Sequence, residues 1–333
     1  MVVSWVDDAL KYAAPIMRHH LNWDEEKTRR VIVDSYQIDE AESNRISAIP
    51  QRSEEWHRIR GGWVDNDKDI FRGSLVSSSV AGDILGHKGV FPKKIREDGS
   101  DDLYGFYINT QRGTAAEPFI REEFKVVLKE HLGHHILVNI EEVGIQVPTK
   151  LPWMAASPDG LLHLFDTIKK KYYNGGLEMK NIGSPDNPVY KFIKHDYYDQ
   201  VILAMHILQL RGYKGLDEYW FVCHSKDVFS VEKFLFNEKY WNEQMAILTR
   251  WYWQCYWPTL VLFHKSVLKF DNECKDGIVQ TGNYTKDYKS IVDWAILHDI
   301  EDYLIKAKQL NDVKRIMSDI DWYIEMENTD LVS

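Results

Sequence analysis

The sequence predicts an α/β protein, because stretches with the alternation of strands and stretches with helical apolar spacing follow one another along the chain. Apolar residues recur at helical spacing after Glu117, through residues 196–208, and in a tryptophan-rich stretch from Glu238. A sheet covered by helices buries both kinds of element. The runs with strand character are Leu161–Phe165, Leu177–Lys180, Tyr219–Cys223 and Val228–Phe236.

The first two strands are expected to form a hairpin. Asn174-Gly175-Gly176 has the composition of its turn. The preceding segment 166–173 contains the run Lys169-Lys170-Lys171 and is expected to be a solvated tip. The hairpin is important because residues able to carry out chemistry lie on both of its strands.

Those residues are Asp159, directly before the first strand, and Glu178 and Lys180 in the second. Strand alternation places Glu178 and Lys180 on one face, and Asp159 can reach that face across the hairpin. Two neighbouring carboxylates repel each other unless a cation lies between them, and oxygen ligands that leave waters in place suit Mg²⁺. The pattern therefore predicts a metal-assisted phosphodiester hydrolase.

The motif has low specificity by itself. Glu-x-Lys recurs at Glu25 and Glu123, and Ser-Pro-Asp recurs at residues 184–186. Only the copy at Asp159 has the expected order of strand, turn and strand. A solvated hairpin with incidental charges remains the alternative for the motif taken alone.

Two flanking residues could complete such a site. Glu117 lies at or near a predicted helix and could supply a third carboxylate; alternatively it is a first-turn acid with Pro118 beside it in that turn. Gln200 lies near the start of a buried helix, where a glutamine is more often a hydrogen-bonded core amide than a ligand.

Six short motifs follow one another along the chain. They are Glu-Trp-His-Arg-Ile-Arg (55–60), Gly-x-x-x-x-Ser-Ser (73–79), Gly-Thr-Ala-Ala-Glu (113–117), Ser-Pro-Asp-Gly (157–160), Leu-Glu-Met-Lys (177–180) and Tyr-Tyr-Asp-Gln-Val (197–201). In this order they resemble the lambda-exonuclease-like nucleases, the YqaJ-type viral recombinase branch of the PD-(D/E)xK superfamily. The resemblance covers about residues 51 to 262 and implies a restriction-endonuclease-like core, with a mixed central sheet flanked by helices.

The resemblance implies a role for each matching residue of the metal site. Asp159 would bridge two Mg²⁺ ions, for which Mn²⁺ could substitute. Glu178 and the carbonyl of Met179 would complete one metal site and Glu117 the other. Lys180 would orient or deprotonate the attacking water.

The resemblance also implies a pocket for a 5′-phosphate, built from Arg60, Ser78, Ser157 and Gln200. Arg60 is its expected anchor, because a guanidinium grips a phosphate with two hydrogen bonds. The register around Ser78 is ambiguous by one residue. Ile202 departs from the family, which often has a second glutamine at that position.

The implied activity is a Mg²⁺-dependent 5′→3′ exonuclease that digests linear double-stranded DNA in viral or phage recombination. The family suggests a trimeric ring around the duplex and a single-strand annealing protein as a partner. Two alternatives stay open. One is a PD-(D/E)xK endonuclease, and the other is a non-catalytic protein that binds DNA ends on the same fold.

The composition agrees with an intracellular protein. At 333 residues and 44% apolar content, the chain can bury a large core. No apolar run reaches the ~20 residues of a membrane span, and the first ten residues lack the basic region of a signal peptide. The three cysteines are expected to be reduced thiols and are too few for a four-cysteine iron–sulfur cluster.

The net charge of −10 is unusual for a DNA-binding protein. A local basic channel could offset it, and the candidates are the lysines of the hairpin tip and the segment from Lys88 to Arg96. In both places a solvated loop is an equally good interpretation.

Three segments are predicted. Residues 1–50 form a helical extension with a polar break at Asp39–Asn44, residues 51–262 the nuclease core, and residues 263–333 a mostly helical appendage with an amphipathic stretch at Ile300–Ile324. His131, His134 and His135 lack metal-ligand partners and are assigned to a helix end and the loop after it.

Overall fold

The computed structural model describes residues 5–85, 103–181, 193–213, 216–225 and 228–265, and of residues 103–115 only the backbone. Several features predicted from sequence lie outside these ranges. They are the basic segment from Lys88 to Arg96, the second Ser-Pro-Asp at residues 184–186, Cys274 and the amphipathic stretch 300–324.

Helices precede, separate and follow the strands. The first four are α1 (Trp5–Leu21), α2 (Glu25–Tyr36), α3 (Glu40–Ser47) and α4 (Glu54–Gly61). The next three are α5 (Ser78–Ile84), α6 (Leu103–Leu132) and α7 (His195–Leu210). The last are α8 (Glu238–Trp251) and α9 (Trp257–His264), joined by a π-helical segment, Tyr252–Tyr256.

The strands of the described ranges form three sheets. The small ones pair β1 (Trp63–Asp65) with β2 (Ile70–Arg72), and β3 (Val76–Ser77) with β5 (Met154–Ala155). The central sheet contains β4 (Ile136–Glu141), β6 (Gly160–Asp166), β7 (Lys171–Asn181), β8 (Leu216–Ser225) and β9 (Val228–Leu235) in the order β4-β6-β7-β8-β9. Its pairings are antiparallel except for β7 with β8, which are parallel. The predicted mixed sheet flanked by helices is therefore confirmed.

Helices cover both faces of the central sheet. On one face, α6 contributes Ile120, Phe124 and Leu128 to a core that also contains Leu177 and Met179 of β7. On the other face a larger core contains side chains of β8 and of helices α1, α2, α7, α8 and α9. Because β7 lies in the middle of the sheet, both of its faces are covered near its carboxyl end.

The first helices pack into this larger core. Tyr36 of α2 is buried and its hydroxyl lies 2.7 Å from that of Tyr252, while the ring of Trp5 stacks on Trp253. Helices α1 and α2 thus share one core with α8 and α9. The division of the chain at residues 50 and 262 remains a prediction.

The hairpin turn was predicted at the wrong residues. The turn lies at residues 167–170, and Asn174-Gly175-Gly176 continues β7 as strand. The glycines serve packing instead: a Cβ on Gly176 would lie 2.2 Å from the ring of Tyr219 on β8, and one on Gly175 3.1 Å from the ring of Trp220. Strand β7 therefore contains glycine because two large neighbours approach its backbone.

The predicted polar break at residues 39–44 and the alternative interpretation of Glu117 as a first-turn acid were also wrong. Residues 39–44 are not a polar break, because Asp39 accepts a hydrogen bond from the N–H of Glu42 (2.8 Å) and caps α3. Glu117 and Pro118 lie inside α6, which begins at Leu103, and not in a first turn. The assignment of His131, His134 and His135 to a helix end and loop is confirmed.

Within the described part of the chain, no helix combines the length and apolarity that crossing a bilayer requires.

Candidate active site

Asp159 is held against the start of the hairpin by two main-chain contacts. Its N–H donates to the carbonyl of Leu177 (2.9 Å), and its Oδ2 accepts from the N–H of Met179 (2.7 Å). The two contacts extend the β6–β7 ladder by one residue, so that the carboxylate projects onto β7. Because the N–H and C=O of a strand residue point to the same side, the Met179 carbonyl also lies on the side of Asp159.

Glu178 and Lys180 share a face of β7, as predicted. Both are largely shielded from solvent, and the Lys180 Nζ donates to the Glu178 Oε1. The ammonium also lies 5.1 Å from the ring centroid of Tyr197 on α7. The ion pair with Glu178 and the ring of Tyr197 thus fix the orientation of Lys180.

The charges of the site perturb one another. Burial raises the pKa of Asp159 well above its ordinary value, and the negative charges of Glu178 and Glu117 raise it further. Burial lowers the pKa of Lys180, but Glu178 and Asp159 outweigh this effect, so that it lies above its ordinary value. In the metal-free protein, Lys180 is therefore a firm cation, and a proton-accepting role for it requires a change in its surroundings.

Glu117 approaches the site from α6. Its charge acts on Asp159, but its Oε2 forms an ion pair with the Nη2 of Arg52. Arg52, just before α4, has a left-handed backbone (φ 66°), which is uncommon for a residue with a side chain. The third predicted carboxylate is thus paired with a cation that the sequence did not suggest.

The oxygen atoms of the site suit one divalent cation. Among the described residues, no three His, Cys, Asp or Glu side chains are grouped so that they could hold a metal. Asp159, Glu178 and the Met179 carbonyl still fit Mg²⁺, which is commonly bound by one or two carboxylates, waters and substrate phosphate. One ion fits this set directly, whereas a second ion held by Glu117 requires that carboxylate to leave Arg52.

Two further residues hold the Asp159 loop in place. The Nη2 of Arg121 donates to the Asp159 carbonyl (3.1 Å), while its Nη1 pairs with Glu142 (2.8 Å). The amide of Gln51 donates to the carbonyl of Pro158 (2.9 Å). Arg121 is one helical turn after Glu117 on α6, and this spacing was the available signal for its position. Gln51 had no signal in the sequence.

Arg60 ends α4 beside the strand β3. Its Nη2 donates to Ser77 Oγ (2.8 Å) and Ser79 Oγ (3.1 Å), the neighbours of Ser78 on either side. Its guanidinium stacks on Trp56, 4.3 Å from the ring centroid. The side chain is thus pre-oriented, with part of its hydrogen-bonding capacity used by hydroxyls that a phosphate could displace.

The other residues of the predicted phosphate pocket lie on neighbouring elements. Ser77 pairs with Ala155 across the parallel β3–β5 bridge, which brings Ser78 near the loop that contains Ser157. Among the described residues, the buried Oγ of Ser157 has no hydrogen-bond partner. Gln200 is buried on α7, which packs against α5. The assignment of these residues to a phosphate pocket remains a prediction.

Two comparisons with known proteins found a match. Residues 56–211 match the model of the YqaJ-like viral recombinase domain. The crystal structure of LHK-Exo in complex with dAMP is similar over 59% of this chain and 89% of that one, with 17% identity and a TM-score of 0.36. No protein with a curated description is significantly similar. The matched segment contains every residue predicted for the metal site and the phosphate pocket.

Proposed function

Since residues 56–211 belong to the YqaJ-like viral recombinase family, we propose that this protein is a Mg²⁺-dependent 5′→3′ exonuclease acting on linear double-stranded DNA. The observation that carries the proposal is the buried pair Asp159 and Glu178, adjacent on one hairpin, with Lys180 ion-paired to Glu178. Such a pair is unfavourable without a cation, and a structural core has no need of it.

The residues of this chain divide the work. Asp159, Glu178 and the Met179 carbonyl hold the metal, and bound Mg²⁺ supplies an activated water and stabilises charge on the scissile phosphate. Lys180 orients the water and neutralises charge near the phosphate. Arg121 and the Met179 N–H keep Asp159 in place. Most of the rate then comes from positioning and electrostatics.

Arg60 determines the end of the DNA strand from which the proposed enzyme removes nucleotides. A guanidinium that is stacked on Trp56 and directed by hydroxyls is suited to the fork-like recognition of a terminal phosphate. A pocket that holds the 5′-phosphate near the carboxylates favours removal of nucleotides from that end. A trimeric ring and an annealing partner, both implied by the family resemblance, belong to the same proposal.

The test is digestion of linear duplex DNA with 5′-phosphate or 5′-hydroxyl ends, beside closed circular DNA, in Mg²⁺ or EDTA. We expect loss of the linear substrate only, faster with 5′-phosphate and stopped by EDTA. Cutting of the circle would instead indicate an endonuclease. Absence of metal-dependent cleavage would leave a DNA-end-binding protein.

Glu178→Gln is the matched control for this assay. Its amide keeps the size of the side chain and removes the negative charge. We expect cleavage to fall by at least about a hundredfold, the usual order for an electrostatic catalytic group, while binding of the linear duplex persists. Equal cleavage by the variant and the wild type would show that a contaminating nuclease or another site does the chemistry.

A further inference from the structure

One face of the β6–β7 hairpin leads from the catalytic residues to an aromatic pair, the exposed Tyr172 and the half-buried Phe165. Alternation along β7 places Tyr172 on the same face as Glu178 and Lys180. The β6–β7 register is regular throughout, pairing Tyr172 with Phe165 and Asn174 with His163. Tyr172 and Glu178 are six positions apart along the strand, a distance of about 20 Å.

The far end of this face has an unusual composition for a solvated tip. Tyr172 is 69% exposed and its ring lies 4.4 Å from that of Phe165. Ile168, in the turn, is 75% exposed. Three consecutive exposed lysines, Lys169–Lys171, separate them. We call Phe165, Tyr172 and the three lysines the hairpin tip.

The positive charge of the three lysines indicates which kind of partner the hairpin tip could bind. The chain has a net charge of −10, so that three adjacent lysines beside the exposed ring of Tyr172 are a local exception. Lysines attract phosphates, and exposed rings stack on bases, a combination typical of surfaces that bind single-stranded nucleic acid. A duplex keeps its bases paired and stacked within it, so only an unpaired strand can use the rings.

We propose that the hairpin tip binds the single strand of DNA that remains after its complement has been digested. The inference rests on the proposed function, because that reaction produces an unpaired strand beside the catalytic face. The span of about 20 Å corresponds to about six nucleotides of stacked strand. Between the two ends, His163 and Asn174 join through a 2.9 Å hydrogen bond and form a polar stretch.

The test measures binding of a fluorescein-labelled oligothymidylate to the full chain in EDTA, by fluorescence anisotropy, so that cleavage plays no part. Tyr172→Ala is expected to weaken binding about fivefold or more, the loss typical of one base–aromatic stack. Tyr172→Phe keeps the ring and is expected to bind like the wild type. Leu235→Ala, at another exposed apolar residue of the same sheet (60% exposed), is the matched control.

The lysines have a separate readout. Replacing Lys169, Lys170 and Lys171 together by glutamine is expected to lower the slope of log K against log salt by about 2, at ~0.7 per lost phosphate contact. The control changes the same charge at exposed lysines of three other elements. These are Lys11, Lys129 and Lys239, on α1, α6 and α8.

Two results would overturn the proposal. One is an affinity for the oligonucleotide that Tyr172→Ala leaves unchanged; if the same variant alters the mass in sedimentation, the tip is an interface between copies of the chain. The other is an equal change of salt slope in the control triple variant, which would indicate general attraction. Neither result depends on cleavage, so failure of the exonuclease assay remains distinguishable from failure of this proposal.

Discussion

The carboxylate of Asp159 accepts a 2.7 Å hydrogen bond from the main-chain N–H of Met179. This contact couples the loop before β6 to the strand that contains Glu178 and Lys180. A rigid main-chain donor thus holds one acidic group next to another. The repulsion between the two carboxylates destabilises the folded protein unless a cation lies between them.

Asp159→Asn is expected to raise the melting temperature in EDTA. Because burial and the charges of Glu178 and Glu117 raise the pKa of Asp159 above 3.8, its ionised form destabilises the folded protein above the raised pKa. That cost disappears as the pH falls below 3.8. The advantage of the variant should therefore be large near neutral pH and shrink on acidification, as measured by thermal denaturation at several pH values.

Added metal is expected to stabilise the wild type and not the variant. Mg²⁺ or Mn²⁺ should raise the melting temperature of the wild type and leave that of Asp159→Asn nearly unchanged, because ligands that bind only the folded state stabilise it. Equal stabilisation of both proteins would place the bound metal elsewhere.

Lys180→Gln is expected to destabilise the metal-free protein by up to ~3 kcal/mol, because it leaves Glu178 buried without its cation. Divalent metal should then stabilise this variant more than the wild type, since the metal replaces the lost charge. Denaturant unfolding with and without Mn²⁺ measures both effects. Lys125→Gln breaks an ion pair with the exposed Glu122 on α6 and should change neither.

Arg52→Ala is expected to tighten Mn²⁺ binding about two- to fivefold, the range of an exposed ion pair, because Arg52 competes with the metal for Glu117. Isothermal titration calorimetry is the measurement. Arg45→Ala removes an arginine that pairs with Glu42 and Glu55 away from Glu117 and serves as the control. Weaker Mn²⁺ binding by Arg52→Ala would mean that Arg52 orients Glu117 as a ligand.

Arg60→Lys is expected to reduce the preference for 5′-phosphorylated over 5′-hydroxyl ends by about tenfold or more. Lysine keeps the charge but loses the two-pronged hydrogen bonding of the guanidinium. The ratio of digestion rates on the two substrates is the readout, so a general loss of activity does not affect it. An unchanged ratio would remove Arg60 from the phosphate pocket.

Gly176→Ala is expected to destabilise the protein by about 1–3 kcal/mol, as overpacking does, since the new Cβ would meet the ring of Tyr219 at 2.2 Å. Combining it with Tyr219→Ala should give less than the sum of the two losses. Gly212→Asn is the control, because Gly212 has φ 84° and no atom within 4 Å of an added Cβ, and asparagine tolerates that backbone.

Local sequence was sufficient to predict the strands β6, β8 and β9, the carboxyl half of β7 and the buried helix α7. Their runs of apolar residues have a period that only one kind of element satisfies. Alternation alone predicted that Glu178 and Lys180 share a face, because the direction of a strand side chain depends on its own backbone. The order of the motifs was sufficient to suggest the family that residues 56–211 match.

Contacts between distant segments could not be predicted in this way. Gly175 and Gly176 have the composition of a turn, but they lie in β7, because Tyr219 and Trp220 of another strand occupy the space of their side chains. A glycine suits both a turn and a strand, and the side chains of the neighbouring strand decide between them.

The sequence by itself determined which residues can carry out chemistry here, since carboxylates, amines and guanidinium groups bring their properties with them. Tertiary structure decided the pKa values of these groups and the partners with which they pair. Burial beside Glu178 and Glu117 raises the pKa of Asp159, and Arg52 engages Glu117 from a segment 65 residues away in the chain. Charges interact through space, and only the folded chain sets the distances between them.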